Sequence, residues 1–158
     1  MDITVGIGEM KISADTKEKL VTYSLGTCLG MTIYDPVAKV GGMIHCQLPQ
    51  SSVNPKKALD MPGMFIDTGV PLLFEKAYAL GAQKSRIIVK IAGCNTNGDS
   101  SEIFKIGERN RIMIRKLMWK NNLFIAGEDT GGMDARTMSL QMSTGEVTIK
   151  SGSNISTL

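Results

Sequence analysis

Histidine is nearly absent from this chain of 158 residues: His45 is the only one. That scarcity removes every metal centre built on several imidazoles. Cysteine is sparse and odd in number, with Cys28, Cys46 and Cys94. Their spacings fit neither a disulfide framework nor a zinc pattern, and they imply reduced thiols in a cytoplasmic protein. Aromatic residues make up 5% of the chain, four Phe, three Tyr and one Trp. No basic patch interleaved with aromatics is present, which argues against a nucleic-acid partner. No stretch approaches the roughly 20 apolar residues of a membrane span. The start, Met1-Asp2-Ile3-Thr4-Val5-Gly6, lacks the basic and apolar regions of a signal peptide. Gly6-Ile7-Gly8 is followed by no Gly-Lys-Ser/Thr, so it is no phosphate loop.

What is present fits one folded domain spanning residues 1–158. Hydrophobic residues make up 42% of the chain, and the net charge of +3 is mild. Basic residues are scattered except for Arg109, Arg111, Arg115 and Lys116, which fall within a helical pattern. The 17 glycines gather in doublets and at strand ends, and 11 methionines are available as adaptable core filler.

Residues 2–7 and 10–13 read as short strands or a hairpin, and 20–24 as a strand. Residues 50–62 read as a polar loop that could cover the neighbouring hairpin. Val70, Leu73, Phe74, Ala77 and Leu80 recur at helical spacing, with Gly81 as the stop. Pro71 requires that helix to begin near Thr68 or to kink. A strand over 86–92 leads to a polar loop, 94–101. A second helix runs from Phe104 or Ile106 to Lys120, burying Ile106, Met113, Ile114, Leu117 and Met118. A strand over 123–128 and a hairpin over 136–150, turning at Ser143-Thr144-Gly145, complete the pattern. Residues 151–158 read as a flexible tail. The expected fold class is α+β, a single-domain α/β sandwich of mostly antiparallel or mixed sheets with two main helices outside.

The chemistry gathers around one hairpin, which turns at Asp35-Pro36-Val37-Ala38. If Tyr34 pairs with Lys39, Cys28 stands directly opposite His45, with Cβ atoms roughly 4.5–5.5 Å apart. An imidazole beside a thiol can make it a nucleophile. Backbone N–H groups at Thr27-Cys28, where a turn becomes a strand, could hold an oxyanion. Alternation puts Cys46 on the opposite face from His45. Thr22 could hydrogen-bond a ring nitrogen, or be an ordinary β-branched strand residue. Cys94 competes as nucleophile but has no second histidine to serve it. Glu128-Asp129 could do acid–base work, although solvated strand-end charges are commoner.

Taken together, these residues carry a resemblance. Leu25-Gly26-Thr27-Cys28, Tyr34-Asp35-Pro36, Gly41-Gly42 and His45-x-x-Leu48-Pro49 resemble the CheD family of chemoreceptor glutamine deamidases. The likeness continues through Asp67-Thr68-Gly69-Val70-Pro71, Lys90-Ile91-Ala92-Gly93, Ile106-Gly107-Glu108-Arg109-Asn110 and Glu128-Asp129-Thr130-Gly131-Gly132. It implies an α/β sandwich related to bacterial deamidating toxins, and a catalytic set of Cys28, His45 and Thr22. It implies no metal and no organic cofactor. The implied partners are the cytoplasmic helices of methyl-accepting chemoreceptors and a CheC-type phosphatase, without membrane insertion. Glutamyl methylesterase activity on the same thiol, or a non-catalytic adaptor role, are the alternatives. The chain departs from the family pattern with Thr27 in place of the usual Ser, in the polar run Cys94-Asn95-Thr96-Asn97-Gly98-Asp99, and at Met133-Asp134-Ala135-Arg136.

Overall fold

The computed structural model of the chain describes residues 1–96 and 102–158, the side chains of 102–104 excepted. In chain order the elements are β1 (Asp2–Thr4), β2 (Met10–Ser13), β3 (Lys19–Leu25), β4 (Leu29–Asp35), β5 (Val40–Cys46), α1 (Pro55–Asp60) and α2 (Ile66–Ala79). They continue with β6 (Ile88–Gly93), α3 (Glu102–Lys120), β7 (Ile125–Thr130), β8 (Arg136–Gln141), β9 (Val147–Ser151) and β10 (Asn154–Thr157). Residues 97–101 of the polar segment read as a loop lie outside the described residues.

The strands form two five-stranded sheets, ordered β1-β3-β8-β9-β10 and β2-β5-β4-β6-β7. Each is mixed, with parallel pairs only at β1–β3 and β6–β7. Two apolar clusters show how the layers stack. Leu20, Leu25, Tyr34, Met43, Met138 and Leu140 pack between the sheets. Leu29, Met31, Ile33, Ile44 and Cys46 face the other way, onto Ile66, Val70 and Leu73 of α2 and Ile114 and Met118 of α3. The layers are therefore sheet, sheet, helices. Strands β4 and β5 are buried on both faces along their whole length. An α+β sandwich with helices outside is the architecture observed, both long helices lying against the second sheet.

The β4–β5 register differs from the sequence reading. Asp35 pairs with Val40, so Gly30, and not Cys28, stands opposite His45. The turn explains the shift. The Asp35 carboxylate accepts from the N–H groups of Val37 (2.9 Å) and Ala38 (3.1 Å). Lys39 adopts a left-handed conformation (φ 56°) and donates its N–H to the Asp35 carbonyl at 2.9 Å. Asp35 thereby closes the loop, and Lys39 belongs to the turn. Burial alone would raise the Asp35 pKa, but Arg86 and the N–H groups of Ala38, Gln83 and Val37 hold the carboxyl well below the usual carboxylate range. The slip moves His45 two places along β4, an even number, so the faces are unchanged.

Other local expectations are revised in detail. Segments 2–7 and 10–13 do not form a hairpin: β1 joins β3 in one sheet and β2 joins β5 in the other. Residues 50–62 contain α1, capped by the Asn54 side chain with Pro55 at its start. Helix α2 begins at Ile66 and keeps Pro71 as its sixth residue, on its exposed side, where the freed carbonyl can be solvated. Leu80 is half exposed and is not part of the buried stripe. Gly81 does end the helix, its N–H donating to the Tyr78 carbonyl and that of Ala82 to the Ala77 carbonyl. The tail expected to fray carries β10, hydrogen-bonded to β9.

Candidate active site

His45 lies on β5 and faces the space between the sheets; Thr22 lies on β3 and faces it from the other side. Both are buried, at 1% and 0% exposure. Thr22 Oγ1 and His45 Nδ1 are 2.7 Å apart. The same hydroxyl donates its one proton to the Val5 carbonyl, also at 2.7 Å. A carbonyl can only accept, so toward the imidazole Thr22 must accept. Nδ1 therefore carries the ring proton, and Nε2 presents its lone pair. Nε2 is buried and has no hydrogen-bond partner among the described residues. The His45 main chain is held by Glu9, whose carbonyl accepts at 3.2 Å, and by the Gly8 N–H, which donates at 2.7 Å.

Cys28 immediately precedes β4. It is half buried and packs against the cluster between the sheets, the side that His45 faces. The ladder begins one residue later, at Leu29–Cys46, and continuing its alternation back to Cys28 puts the thiol diagonally from His45 on the same face. No hydrogen bond joins the two among the described residues. Three successive carbonyls around the thiol are anchored. That of Gly26 accepts from the Asn95 N–H (2.9 Å), and that of Cys28 from the Cys94 N–H (2.8 Å). Between them, the Thr27 carbonyl accepts from the Asn110 side chain at 2.9 Å. Among the described residues, no backbone hydrogen bond engages the N–H of Thr27 or Cys28.

Burial sets the charge state of this pair. Desolvation lowers the pKa of His45 and raises that of Cys28. Both shifts favour the uncharged forms, a thiol and a neutral imidazole, over a thiolate and an imidazolium. The other thiols are less suited to attack. Cys46 is fully buried on the helix side, its pKa pushed far up by desolvation. Cys94 is also fully buried, and desolvation pushes its thiol up to about 12. Glu128 accepts from Arg115 at 2.8 Å and from the Thr130 hydroxyl at 2.6 Å, while Asp129 pairs with Arg136 at 3.2 Å. These carboxylates are strand-end ion pairs. No cluster of His, Cys, Asp or Glu fit to hold a metal occurs among the described residues.

Two residues were missed by sequence reasoning. Asn110, on α3, is fully buried and donates to the carbonyls of both Thr27 and Gln47. Arg136, on β8, is 8% exposed and donates to Asn95 Oδ1, the Gly131 carbonyl and Asp129. It thereby braces the turn that anchors the Cys28 segment. A signal for Asn110 existed: it interrupts the apolar stripe formed by Ile106, Ile114 and Met118.

A half-buried thiol, a one-sided neutral imidazole and unengaged backbone N–H groups are the equipment of thiol-dependent acyl transfer. Comparison with known proteins narrows this class. A family model described as CheD chemotactic sensory transduction matches residues 47–151. A protein of Syntrophus aciditrophicus named "Probable chemoreceptor glutamine deamidase CheD 1" is 49% identical over 150 residues, covering 95% of this chain and 94% of its own. The corresponding CheD 2 protein of Anaeromyxobacter dehalogenans is 40% identical over 156 residues, 99% and 98% of the two chains. A relative in Pyrococcus horikoshii is 36% identical over 151 residues, 94% and 91% of the two chains. The chain belongs to the CheD family.

Proposed function

We propose that this protein hydrolyses side-chain amides of glutamines on the cytoplasmic helices of methyl-accepting chemoreceptors, giving glutamate and ammonia. The names of its relatives supply the substrate class. The observation that carries the chemistry is the hydrogen-bond chain Val5–Thr22–His45, which leaves Nε2 as a free base on the face that Cys28 shares.

In this reading Nε2 takes the Cys28 proton as sulfur attacks the glutamine carboxamide carbon. The thiol–imidazole contact tightens when substrate binds. The N–H groups of Thr27 and Cys28 receive the developing oxyanion. The imidazolium then protonates the departing nitrogen, and ammonia leaves behind a thioester. Water attacks the thioester, giving a proton to Nε2, and the thiol is restored as glutamate departs. Thr22 is a positioning residue that holds the productive tautomer. The uncharged resting pair makes proton removal part of the attack, without a stored thiolate. The same reading includes a cytoplasmic location, a fold kinship with bacterial deamidating toxins, and a CheC-type phosphatase as partner.

The test is intact-mass analysis of a purified chemoreceptor cytoplasmic fragment after incubation with wild type and with Cys28→Ala. Wild type should add about one mass unit per converted site, mapped to Gln→Glu, and Cys28→Ala none. Equal conversion by both proteins, or none by wild type, overturns the proposal.

A further inference from the structure

We propose that Asn110 is a positioning residue that aims the oxyanion-binding N–H of Cys28. The inference rests on the thiol chemistry proposed above, and extends it to a residue on a different element, 83 positions from Thr27. The Asn110 side chain reaches from α3 to the residues that lead into β4 and out of β5. Its Nδ2 donates to the Thr27 carbonyl at 2.9 Å and to the Gln47 carbonyl at 3.1 Å. Both partners are carbonyls, so only the NH2 end of the amide can face them. Both of its protons are thereby used on the segments that carry Cys28 and His45. Oδ1, in contrast, is buried and has no partner among the described residues. A residue present only for packing would be better apolar at this depth, since an unmet buried acceptor is unfavourable.

The geometry of a peptide unit explains what this clamp accomplishes. In a planar trans peptide, the carbonyl of one residue and the N–H of the next point in opposite directions. Drawing the Thr27 carbonyl toward α3 therefore turns the Cys28 N–H away from α3. The peptides on either side are held too, by Asn95 at the Gly26 carbonyl and by Cys94 at the Cys28 carbonyl. Those are backbone donors, so of the three donors described on these carbonyls Asn110 is the side chain. Its approach depends on the neighbouring turn of α3: a Cβ at Gly107 would overlap the Asn95 carbonyl. An oxyanion donor helps only if it is oriented before the reaction, and Asn110 supplies that orientation.

The experiment separates acylation of Cys28 from its alkylation. Attack on p-nitrophenyl acetate builds an oxyanion, whereas displacement on iodoacetamide does not. Asn110→Ala should slow acylation by about 100-fold and leave the iodoacetamide rate unchanged. Asn110→Asp keeps the side-chain volume, and should show the same split if its lost donors, and not a cavity, are responsible. In receptor deamidation the loss should fall on kcat and not on KM. Acylation equal to wild type overturns the proposal, as does a parallel fall in both reactions in the two variants. If the split is seen but wild type leaves receptor glutamines untouched, the inference stands and the substrate assignment fails. If wild type deamidates and the variants match it, the assignment stands and the inference fails.

Discussion

Replacing Thr22 with valine removes one hydroxyl and almost no volume, so its effect reduces to the two hydrogen bonds that hydroxyl makes. His45 Nδ1–H loses its acceptor, and the Val5 carbonyl loses a donor, both within the core. An unmet buried polar group costs about 1–3 kcal/mol. The ring can avoid that cost by moving its proton to Nε2, but Nε2 is then no longer a base. Either way the competent tautomer is disfavoured by about 1–3 kcal/mol relative to wild type, and at 1.4 kcal/mol per tenfold this lowers its population roughly 5- to 150-fold. The two groups left unmet should together destabilise the fold by about 2–6 kcal/mol, or roughly 5–25 °C in Tm for a chain of this size. The assay is ammonia release from a receptor fragment, with thermal melting run in parallel. Thr22→Ser keeps the oxygen and should retain most of the rate. The reasoning is refuted if Thr22→Val works within about threefold of wild type, or if serine is as damaging as valine.

The pH dependence stems from the uncharged resting pair. Burial holds His45 below its ordinary 6.5, so deamidation should be level through neutrality and fall only in acid, with a midpoint below that value. Stability carries the same sign: the unfolded chain binds the proton more readily, so His45 contributes fully above 6.5 and its contribution is lost as pH falls through the folded pKa. Iodoacetamide labelling of Cys28 should climb only above the ordinary thiol value of 9.0, and an inflection near neutrality would reveal a preformed ion pair instead. Gly93→Ala tests the anchoring of the thiol segment. Gly93 has φ 92°, and a Cβ there would overlap the Cys28 carbonyl. It should lower stability by about 1–3 kcal/mol and reduce turnover beyond what the melting shift explains. Wild-type turnover in this variant would show that the Cys28 segment is not held from that side.

The hairpin shows why parts of the site were legible and others were not. Alternation along β4 and β5 puts Cys28 and His45 on one face for any even slip of the register. The relation therefore survived an error in the turn, where the Asp35 carboxylate, by capping two N–H groups, moved the closing pair to Asp35–Val40. The same alternation separated Cys46 from His45. The helix stop at Gly81, the hairpin at 143–145 and the buried positions Ile114 and Met118 were also local matters. Strand β10 was missed because its four residues are exposed and polar except Ile155, so nothing in their pattern marks pairing.

By itself, then, the sequence determined the long helices, most of the strands, the layer type and the shared face of one thiol and one imidazole, because these depend on neighbours at periods of 2 and 3.6 residues. Only the tertiary structure decided which thiol is accessible. Cys28 and Cys94 flank the ends of the adjacent strands β4 and β6, yet packing buries Cys94 and leaves Cys28 partly exposed. It alone brought Thr22 from the facing sheet onto Nδ1, with Val5 to dictate the direction of that hydrogen bond. It alone set Asn110 across the carbonyls of Thr27 and Gln47. Those contacts join segments that local pattern leaves independent, and they exist only once the two sheets and α3 have packed around a common core.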